Sequence, residues 1–222
     1  MEQNVSHIQS HQSLSRVKIC GITSVDDALM AAGAGADAIG LVFYPPSPRY
    51  VSIEMAAKIA LAVGPLVTVV GLFVNADEAD IKHVLGRVNL HVLQFHGDES
   101  AAFCEGFQRP YMKAIRMKPK LDVEEVINHY SSATGVLLDA YRKGVPGGTG
   151  ETFDWQRVPS GSNLPAIILA GGLTPDNVVS AITATRPYGV DISGGVESSP
   201  GTKNQEKVIG FINNVRTISN QM

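Results

Sequence analysis

Two residues that could exchange protons with a substrate stand at the ends of short apolar runs. Cys20 ends the run 17–20, and Asp139 ends the run 135–139. The carboxyl ends of parallel strands are where α/β folds place their catalytic residues. A thiol there can act as a base, and a partly desolvated carboxyl group can act as an acid. Each also has an ordinary alternative, because free cysteines are often buried hydrophobes and aspartates often cap loops.

Two glycine pairs follow the last two apolar runs of the chain. Gly171-Gly172 comes after the run 166–170, and Gly194-Gly195 comes after 191–193. Such glycines can expose backbone N–H groups, and the loops after strands seven and eight of a barrel commonly bind phosphate. Either pair alone could be a tight turn that needs a positive φ. Their occurrence at both expected positions favours a phosphate site.

Three further features could contact a ligand. Arg49 lies in the proline-rich segment 44–50, where a stiff loop would direct it at a carboxylate-bearing substrate. His96 follows the run 93–95 and could donate to substrate or orient another group. The glycine-rich segment 147–150 predicts a loop able to close over a ligand. The alternatives are a solvated arginine, a structural histidine and a glycine loop without a ligand.

Short apolar runs alternate with amphipathic segments along the chain. The predicted strands are 17–20, 38–43, 67–74, 91–95, 111–115, 135–139, 166–170 and 189–192. The predicted helices are 24–32, 53–63, 77–88, 100–107, 121–130, a weak one near Trp155, 174–181 with a cap at Thr174, and 203–218. This alternation predicts a parallel sheet of the α/β class, a single (β/α)8 TIM barrel. An open doubly wound sheet is the alternative, disfavoured because no GxGxxG motif follows the first strand.

Closure of a barrel makes its first and eighth strands neighbours. Side chains two residues apart share a face, so Lys18 points inward if Cys20 does, and Asp191 shares a face with Ser193. We therefore predict that Lys18 and Asp191 pair near the mouth of the barrel. An inward ammonium group would help to hold Cys20 as a thiolate.

The composition narrows the class of protein. The 222 residues carry a net charge of −3, which gives no basic field for nucleic acid, and no run is apolar enough to span a membrane. Cys20 and Cys104 lack disulfide or zinc-ligand spacing, so we predict a cytoplasmic protein in which Cys104 is a packing residue. Residues 1–15 are polar and predict a flexible leader before a catalytic barrel at 16–222.

Seven ordered segments together resemble the phosphoribosylanthranilate isomerase family. They are VKICGIT (17–23), GLFVN (71–75), LQFHG (93–97), LLD (137–139), GGTG (147–150), LAGGL (169–173) and DISGGVE (191–197). The resemblance spans residue 17 to the C-terminus. It implies an eightfold barrel that uses no cofactor or metal. The implied reaction converts N-(5-phospho-ribosyl)anthranilate to 1-(2-carboxyphenylamino)-1-deoxyribulose 5-phosphate, the third step of tryptophan biosynthesis from chorismate.

The resemblance also implies roles for single residues. Cys20 corresponds to the general base of the family, Asp139 to the general acid, and Arg49 to the loop arginine at the anthranilate end. The predicted substrate-binding set is Arg49, His96, Gly171, Gly172, Asp191, Ser193, Gly194 and Gly195. Many relatives have serine where Gly194 stands, so a backbone N–H would replace a hydroxyl contact to phosphate. We predict a monomer that binds this small phosphorylated substrate and neither nucleic acid nor a membrane.

Two alternatives stay open on the residues alone. A phosphosugar epimerase or lyase could use the same phosphate loops, because such loops do not identify a reaction. The epimerases, however, use metal-binding histidines and acids, whereas His96 stands almost alone here. A degenerate barrel that only senses phosphosugar is the non-enzyme alternative, and the presence of both Cys20 and Asp139 argues against it.

Overall fold

Eight parallel strands close into a barrel in the computed structural model, which describes residues 14–140, 152–161 and 164–219. The strands follow one another in sequence order, and β1 closes the barrel against β8. They are β1 Arg16–Cys20, β2 Ala38–Val42, β3 Thr68–Phe73, β4 Val92–Phe95, β5 Tyr111–Arg116, β6 Gly135–Asp139, β7 Ala166–Leu169 and β8 Gly189–Ile192. The predicted barrel is confirmed, and each predicted strand end lies within one residue of the observed end.

Helices cover the outside of the barrel. They are α1 Val25–Gly33, α2 Ile53–Ala62, α3 Glu78–Leu85, α4 Ala101–Glu105, α5 Val123–His129, α6 Val178–Thr185 and α7 Gln205–Ser219. In the described residues between β6 and β7, the only helical element is the 3₁₀ turn Trp155–Arg157. After β8 the chain forms a small antiparallel pair, β9 Glu197–Ser199 and β10 Thr202–Lys203, before α7 begins.

Side-chain caps set several helix starts, with one difference from the prediction. Ser24 caps α1 by accepting a backbone N–H of the first turn. The predicted cap at Thr174 is wrong, because α6 begins only at Val178. Asn177 explains the later start of α6. Its Oδ1 accepts the Thr174 N–H, and its Nδ2 donates to the Gly172 carbonyl. These bonds stabilise a turn where the first helical turn was expected.

Alternation along the strands separates an outer hydrophobic layer from the interior of the barrel. Val17 and Ile19 are fully buried in the large cluster between strands and helices, as predicted. Cys20 packs inside the barrel. In β6, Leu138 lies in an outer cluster and Leu137 in an inner one. By the same alternation, polar side chains of β1 and β6 point into the interior of the barrel.

The packed part of the chain begins slightly earlier than the sequence predicts. Ser15, which we assigned to the leader, is buried, and its hydroxyl donates to the Pro187 carbonyl at 3.1 Å. The packing of the barrel thus extends to Ser15, and residues 1–13 lie outside the described part. The glycine segment 147–150 also lies outside it. No helix within the described ranges is long and apolar enough to cross a membrane.

Candidate active site

A cavity of about 570 Å³ opens at the carboxyl ends of the strands. Every residue that the sequence predicted for the site lines it: Cys20, Arg49, His96, Asp139, Gly171, Gly172, Asp191, Ser193, Gly194 and Gly195. They come from β1, β6, β8 and the loops after β2, β4, β7 and β8. The closed barrel thus brings together residues that are far apart in the chain.

Cys20 stands beside a buried ion pair. Lys18 donates from Nζ to Asp191 Oδ1 at 2.6 Å, and both side chains are almost inaccessible to water. The predicted pairing across the β1–β8 closure is therefore confirmed. Gly40 on β2 faces this group, and a Cβ there would lie 2.7 Å from Cys20 Sγ and 3.0 Å from Lys18 Nζ. A glycine is needed at this position because the thiol and the ammonium group fill the space.

Burial outweighs the effect of Lys18 on the Cys20 thiol, although that effect has the predicted direction. Burial raises the pKa of the Cys20 thiol, and the opposing attraction of Lys18 does not cancel that effect. Asp191 adds to the increase because its carboxylate repels a neighbouring thiolate. Although burial disfavours its charge, the adjacent Asp191 raises the pKa of Lys18. Lys18 therefore offsets part of the cost of the Cys20 anion and does not remove it.

Asp139 is joined to a chain of buried polar side chains. Its Oδ2 lies 3.1 Å from His96 Nε2, and His96 Nδ1 lies 2.9 Å from Gln94 Nε2. Gln94 and His96 are two residues apart on β4 and just beyond it, so both side chains face the interior. Gln94 is completely buried. This chain fixes the orientation of the Asp139 carboxyl group at the cavity wall.

A second buried network holds the backbone around His96. Lys113 on β5 donates from Nζ to the Gly97 carbonyl at 2.6 Å and to Glu99 Oε2 at 3.0 Å. Glu99 in turn accepts the N–H groups of Gly97 and Asn75. The loops after β3 and β4 are thereby tied together. The position of His96 depends on this network, because an unconstrained loop would not maintain a 3.1 Å contact with Asp139.

Arg49 reaches the cavity but is held by an acid that we had given no role. Its Nε and Nη2 donate to the two carboxylate oxygens of Glu197, each at 2.8 Å. The fully buried Lys203 side chain donates to Glu197 Oε1 at the same distance. Burial disfavours the Glu197 carboxylate, yet the bonds from Arg49 and Lys203 lower its pKa. Arg49 is therefore a fixed cation of the cavity wall and not a solvated surface residue.

The glycine pairs line the same cavity as Arg49, and a Cβ on Gly194 would lie 3.2 Å from Arg49 Nη2. Gly171 and Gly172 both have positive φ, which justifies glycine there on conformational grounds. A Cβ on Gly195 would overlap the Leu173 carbonyl oxygen, so the loops after β7 and β8 lie in close contact. The N–H groups of Gly172 and Gly194 donate to no acceptor among the described residues. Backbone N–H groups left available in this way suit a phosphate group.

The arrangement offers an acid, a base and an anion site in one cavity. Within the described ranges, no three His, Cys, Asp or Glu side chains are grouped closely enough to hold a metal ion. A thiol and a carboxyl group on different strands face one volume, which backbone N–H groups and a guanidinium group also line. Such a site fits proton transfer on an anionic phosphorylated substrate.

Comparison with known proteins decides the family. The family model described as N-(5'phosphoribosyl)anthranilate (PRA) isomerase matches residues 17–214. The chain belongs to this isomerase family. An N-(5'-phosphoribosyl)anthranilate isomerase of Cellvibrio japonicus (strain Ueda107) is 62% identical over 196 residues, which are 88% of this chain and 91% of that relative.

Solved structures of the PRA isomerase family share the fold. The crystal structure of phosphoribosyl anthranilate isomerase from Thermotoga maritima superimposes with a TM-score of 0.85 at 40% identity, covering 91% of this chain and 99% of that one. Another structure of the family was solved in complex with reduced 1-(o-carboxyphenylamino)-1-deoxyribulose 5-phosphate, at a TM-score of 0.81, 39% identity and the same coverage.

Family membership confirms the principal predictions from the sequence. The protein is a PRA isomerase with an eight-stranded barrel, and its reaction is a step of tryptophan biosynthesis. The family decides against the phosphosugar epimerase or lyase and against the non-catalytic barrel.

Sequence reasoning missed three buried residues of the PRA isomerase site. Gln94, Glu197 and Lys203 are all buried and bond to predicted site residues. A signal for Gln94 was present, since it is a polar residue of an apolar strand with the same parity as His96. Glu197 and Lys203 lie in β9 and β10, which have no periodic pattern that indicates which side chains face inward.

Proposed function

We propose that Cys20 is the general base and Asp139 the general acid of the PRA isomerisation. The proposal is carried by one observation: the two side chains, on β1 and β6, line the same cavity. Both are nearly inaccessible to water, at 5% and 4% exposure. An Amadori rearrangement needs one group that gives a proton and another that removes one, and these two have the required chemistry.

The acid acts first in this mechanism. Asp139 transfers its proton to the furanose ring oxygen as the bond between that oxygen and C1′ breaks. The electron pair of the anthranilate nitrogen then forms a double bond to C1′, which gives a Schiff-base cation. The ring-opened chain now carries a hydroxyl group where the ring oxygen was, and Asp139 is left as a carboxylate.

The base acts on the cation. The thiolate form of Cys20 removes the proton from C2′ and becomes a thiol, and the C–H electron pair forms the C1′–C2′ double bond while the nitrogen becomes neutral. The resulting enolamine gains a proton at C1′ and loses one from the C2′ hydroxyl, which gives the ketone product. Burial raises the pKa of the Cys20 thiol, and the positive charge of Lys18 opposes this effect because it attracts the thiolate.

The remaining residues bind the two anionic ends of the substrate. We assign the phosphate to Gly171, Gly172, Ser193, Gly194 and Gly195, which line the cavity after β7 and β8. We assign the anthranilate carboxylate to Arg49, whose Nη1 takes no part in the two bonds to Glu197. His96 and Asp191 line the cavity between these ends and complete the substrate-binding set.

The experiment is substrate turnover by Cys20→Ser and Asp139→Asn, followed through the loss of anthranilate fluorescence. We expect each variant to lower kcat by about 10² to 10⁴, the usual contribution of a general acid or base. KM should change little, because the phosphate loops are untouched. Cys104→Ser is the control, since Cys104 is completely buried in the outer core and should leave kcat unchanged. Near-normal turnover in either variant would refute the role of that residue.

We further propose that the isomerase acts as a cytoplasmic monomer. Support comes from the two cysteines, which are free and buried, and from a substrate site whose proposed residues all come from one chain. Light scattering of the purified protein should give a mass near 23.6 kDa. A mass of about twice that value would refute the monomer, and recovery of the activity in a membrane or periplasmic fraction would refute the location.

A further inference from the structure

Gln94 is a buried amide with one end engaged. Its side chain is fully inaccessible to water, and Nε2 lies 2.9 Å from His96 Nδ1. The other end, Oε1, has no hydrogen-bond partner among the described residues. A buried polar atom without a partner is costly, so an apolar side chain of the same volume would be the simpler solution for packing. Packing alone therefore does not explain a glutamine at this position, whereas the bond to His96 gives it a function.

The contact determines which nitrogen of His96 carries the proton. An amide N–H can only donate, so His96 Nδ1 must accept the hydrogen bond from Gln94 Nε2. A neutral imidazole has one N–H group, which must then be on Nε2. His96 Nε2 lies 3.1 Å from Asp139 Oδ2 and donates to it. The direction of each bond in the chain from Gln94 to Asp139 is thus fixed.

We propose that Gln94 is a positioning residue that places the acidic proton of Asp139 on Oδ1. Because Oδ2 accepts the His96 N–H, the proton of the carboxyl group is confined to the other oxygen. Oδ1 lies on the side of Gly171, since a Cβ on that cavity-lining glycine would be 2.9 Å from it. This inference rests on the acid role proposed above for Asp139, and it explains how the acid presents its proton to the substrate.

One tautomer of His96 serves both states of the acid. When Asp139 is protonated, the His96 N–H occupies Oδ2 and leaves the proton on Oδ1. After the proton has moved to the substrate, the same N–H stabilises the new carboxylate. No group has to rotate during the reaction, which is the condition for effective electrostatic stabilisation. Without the Gln94 donor, His96 could carry its proton on Nδ1, and Asp139 could then turn its O–H toward Nε2 and away from the substrate.

The first test measures the tautomer in the wild-type protein and needs no activity. The isomerase is labelled with ¹⁵N-histidine, and long-range ¹⁵N–¹H correlation spectra at pH 8 report the protonation of each ring. The chain has six histidines, and the His96→Asn variant identifies the signals of His96. We expect the His96 proton on Nε2, with Nδ1 accepting from Gln94. A proton on Nδ1, or a doubly protonated ring, would overturn the proposal.

The second test connects the tautomer to turnover through Gln94→Met and Gln94→Glu. Methionine keeps the volume without a donor, and a glutamate carboxylate reverses the polarity because it accepts from Nδ1–H. Incorrect tautomers in other acid–base sites cost up to about 10⁴ in kcat. We expect kcat to fall by about 10-fold in Gln94→Met and about 100-fold in Gln94→Glu, with KM within about threefold. The spectra should show the Nε2 proton lost in the same order.

The outcomes separate the proposal from its premise. A variant that loses the Nε2 proton and keeps wild-type kcat would refute the positioning role, and so would two variants that both retain the wild-type tautomer. Full turnover by Asp139→Asn would instead refute the acid role, and with it the catalytic purpose assigned to Gln94. Glu99→Gln serves as the structural control: it disturbs the backbone around His96 and should lower kcat, but because the partner of Nδ1 is unchanged the Nε2 proton should be retained.

Discussion

Replacing Lys18 by methionine isolates the electrostatic effect of the ammonium group on Cys20. A Cβ on Gly40 would lie 2.7 Å from Cys20 Sγ and 3.0 Å from Lys18 Nζ. The sulfur and the nitrogen are therefore at most 5.7 Å apart, the sum of these two distances. At an effective dielectric constant of about 20, unit charges at that separation attract by about 3 kcal/mol. Loss of the ammonium group should therefore lower the thiolate population of Cys20 about 100-fold at a given pH below its pKa.

The assay is alkylation of Cys20 by iodoacetamide as a function of pH, read by peptide mapping. Burial already raises the pKa of Cys20, so the wild-type rate should increase with pH throughout the alkaline range. Lys18→Met should be about 100-fold slower at each pH below the wild-type pKa. Cys104 gives an internal reference, because burial raises its pKa to about 12 and no Lys18 contact contributes to that value.

The double variant Lys18→Met/Asp191→Asn controls for the carboxylate that the single variant leaves unpaired. Asp191 repels the thiolate, so its neutralisation should restore part of the lost alkylation rate. A Lys18→Met protein that folds normally and is alkylated with the wild-type pH dependence would refute the electrostatic argument. It would show that burial alone sets the reactivity of Cys20.

Two further substitutions test the loops that hold the site. Gly97→Ala should lower the free energy of unfolding, measured in urea, by about 1 to 3 kcal/mol, because its Cβ would overlap Asn75 Oδ1. The control is Gly210→Ala, which has open space around its Cβ and should leave the free energy of unfolding unchanged or raise it. Glu197→Gln should raise KM about tenfold by loosening Arg49. Because Arg49 and Lys203 lower the pKa of Glu197 despite its burial, its contribution to stability is complete above about pH 4.3 and is lost as the pH falls further. In Glu197→Gln, the free energy of unfolding should therefore fall less steeply below that pH than in the wild type. An unchanged pH dependence would contradict the role of Glu197.

The sequence was sufficient for features that follow from periodicity and closure. Alternation in residues 17–20 puts Lys18 and Cys20 on one face, and a closed barrel must then bring that face against β8 and Asp191. The ion pair at 2.6 Å is the result. Asp139 was predicted from the same parity, because it ends a strand whose inward positions are alternate residues. These predictions need only the strand positions and the topology.

Other features depend on quantities that no local pattern contains. The partner of Arg49 is 148 residues away in a short strand, so its bidentate bond arises from the relative positions of two loops. The raised pKa of Cys20 depends on how completely the barrel excludes water, and burial there outweighs a lysine that the sequence had correctly placed beside it. The start of α6 depends on the competition between an Asn177 turn and a helical turn, which differ little in energy.

The compensation of charge in the cavity explains why proton transfer can depend on the substrate. Lys18 is neutralised by Asp191, and Glu197 is shared by Arg49 and Lys203, so these five groups together carry a single positive charge. That surplus favours an anionic substrate, and burial still raises the pKa of the Cys20 thiol. In the proposed mechanism, ring opening forms a Schiff-base cation on the substrate and a carboxylate at Asp139, so the cation stabilises the Cys20 anion to the extent that it lies nearer to Cys20 than Asp139 does. In the mechanism that we propose, proton donation by Asp139 therefore precedes proton removal by Cys20.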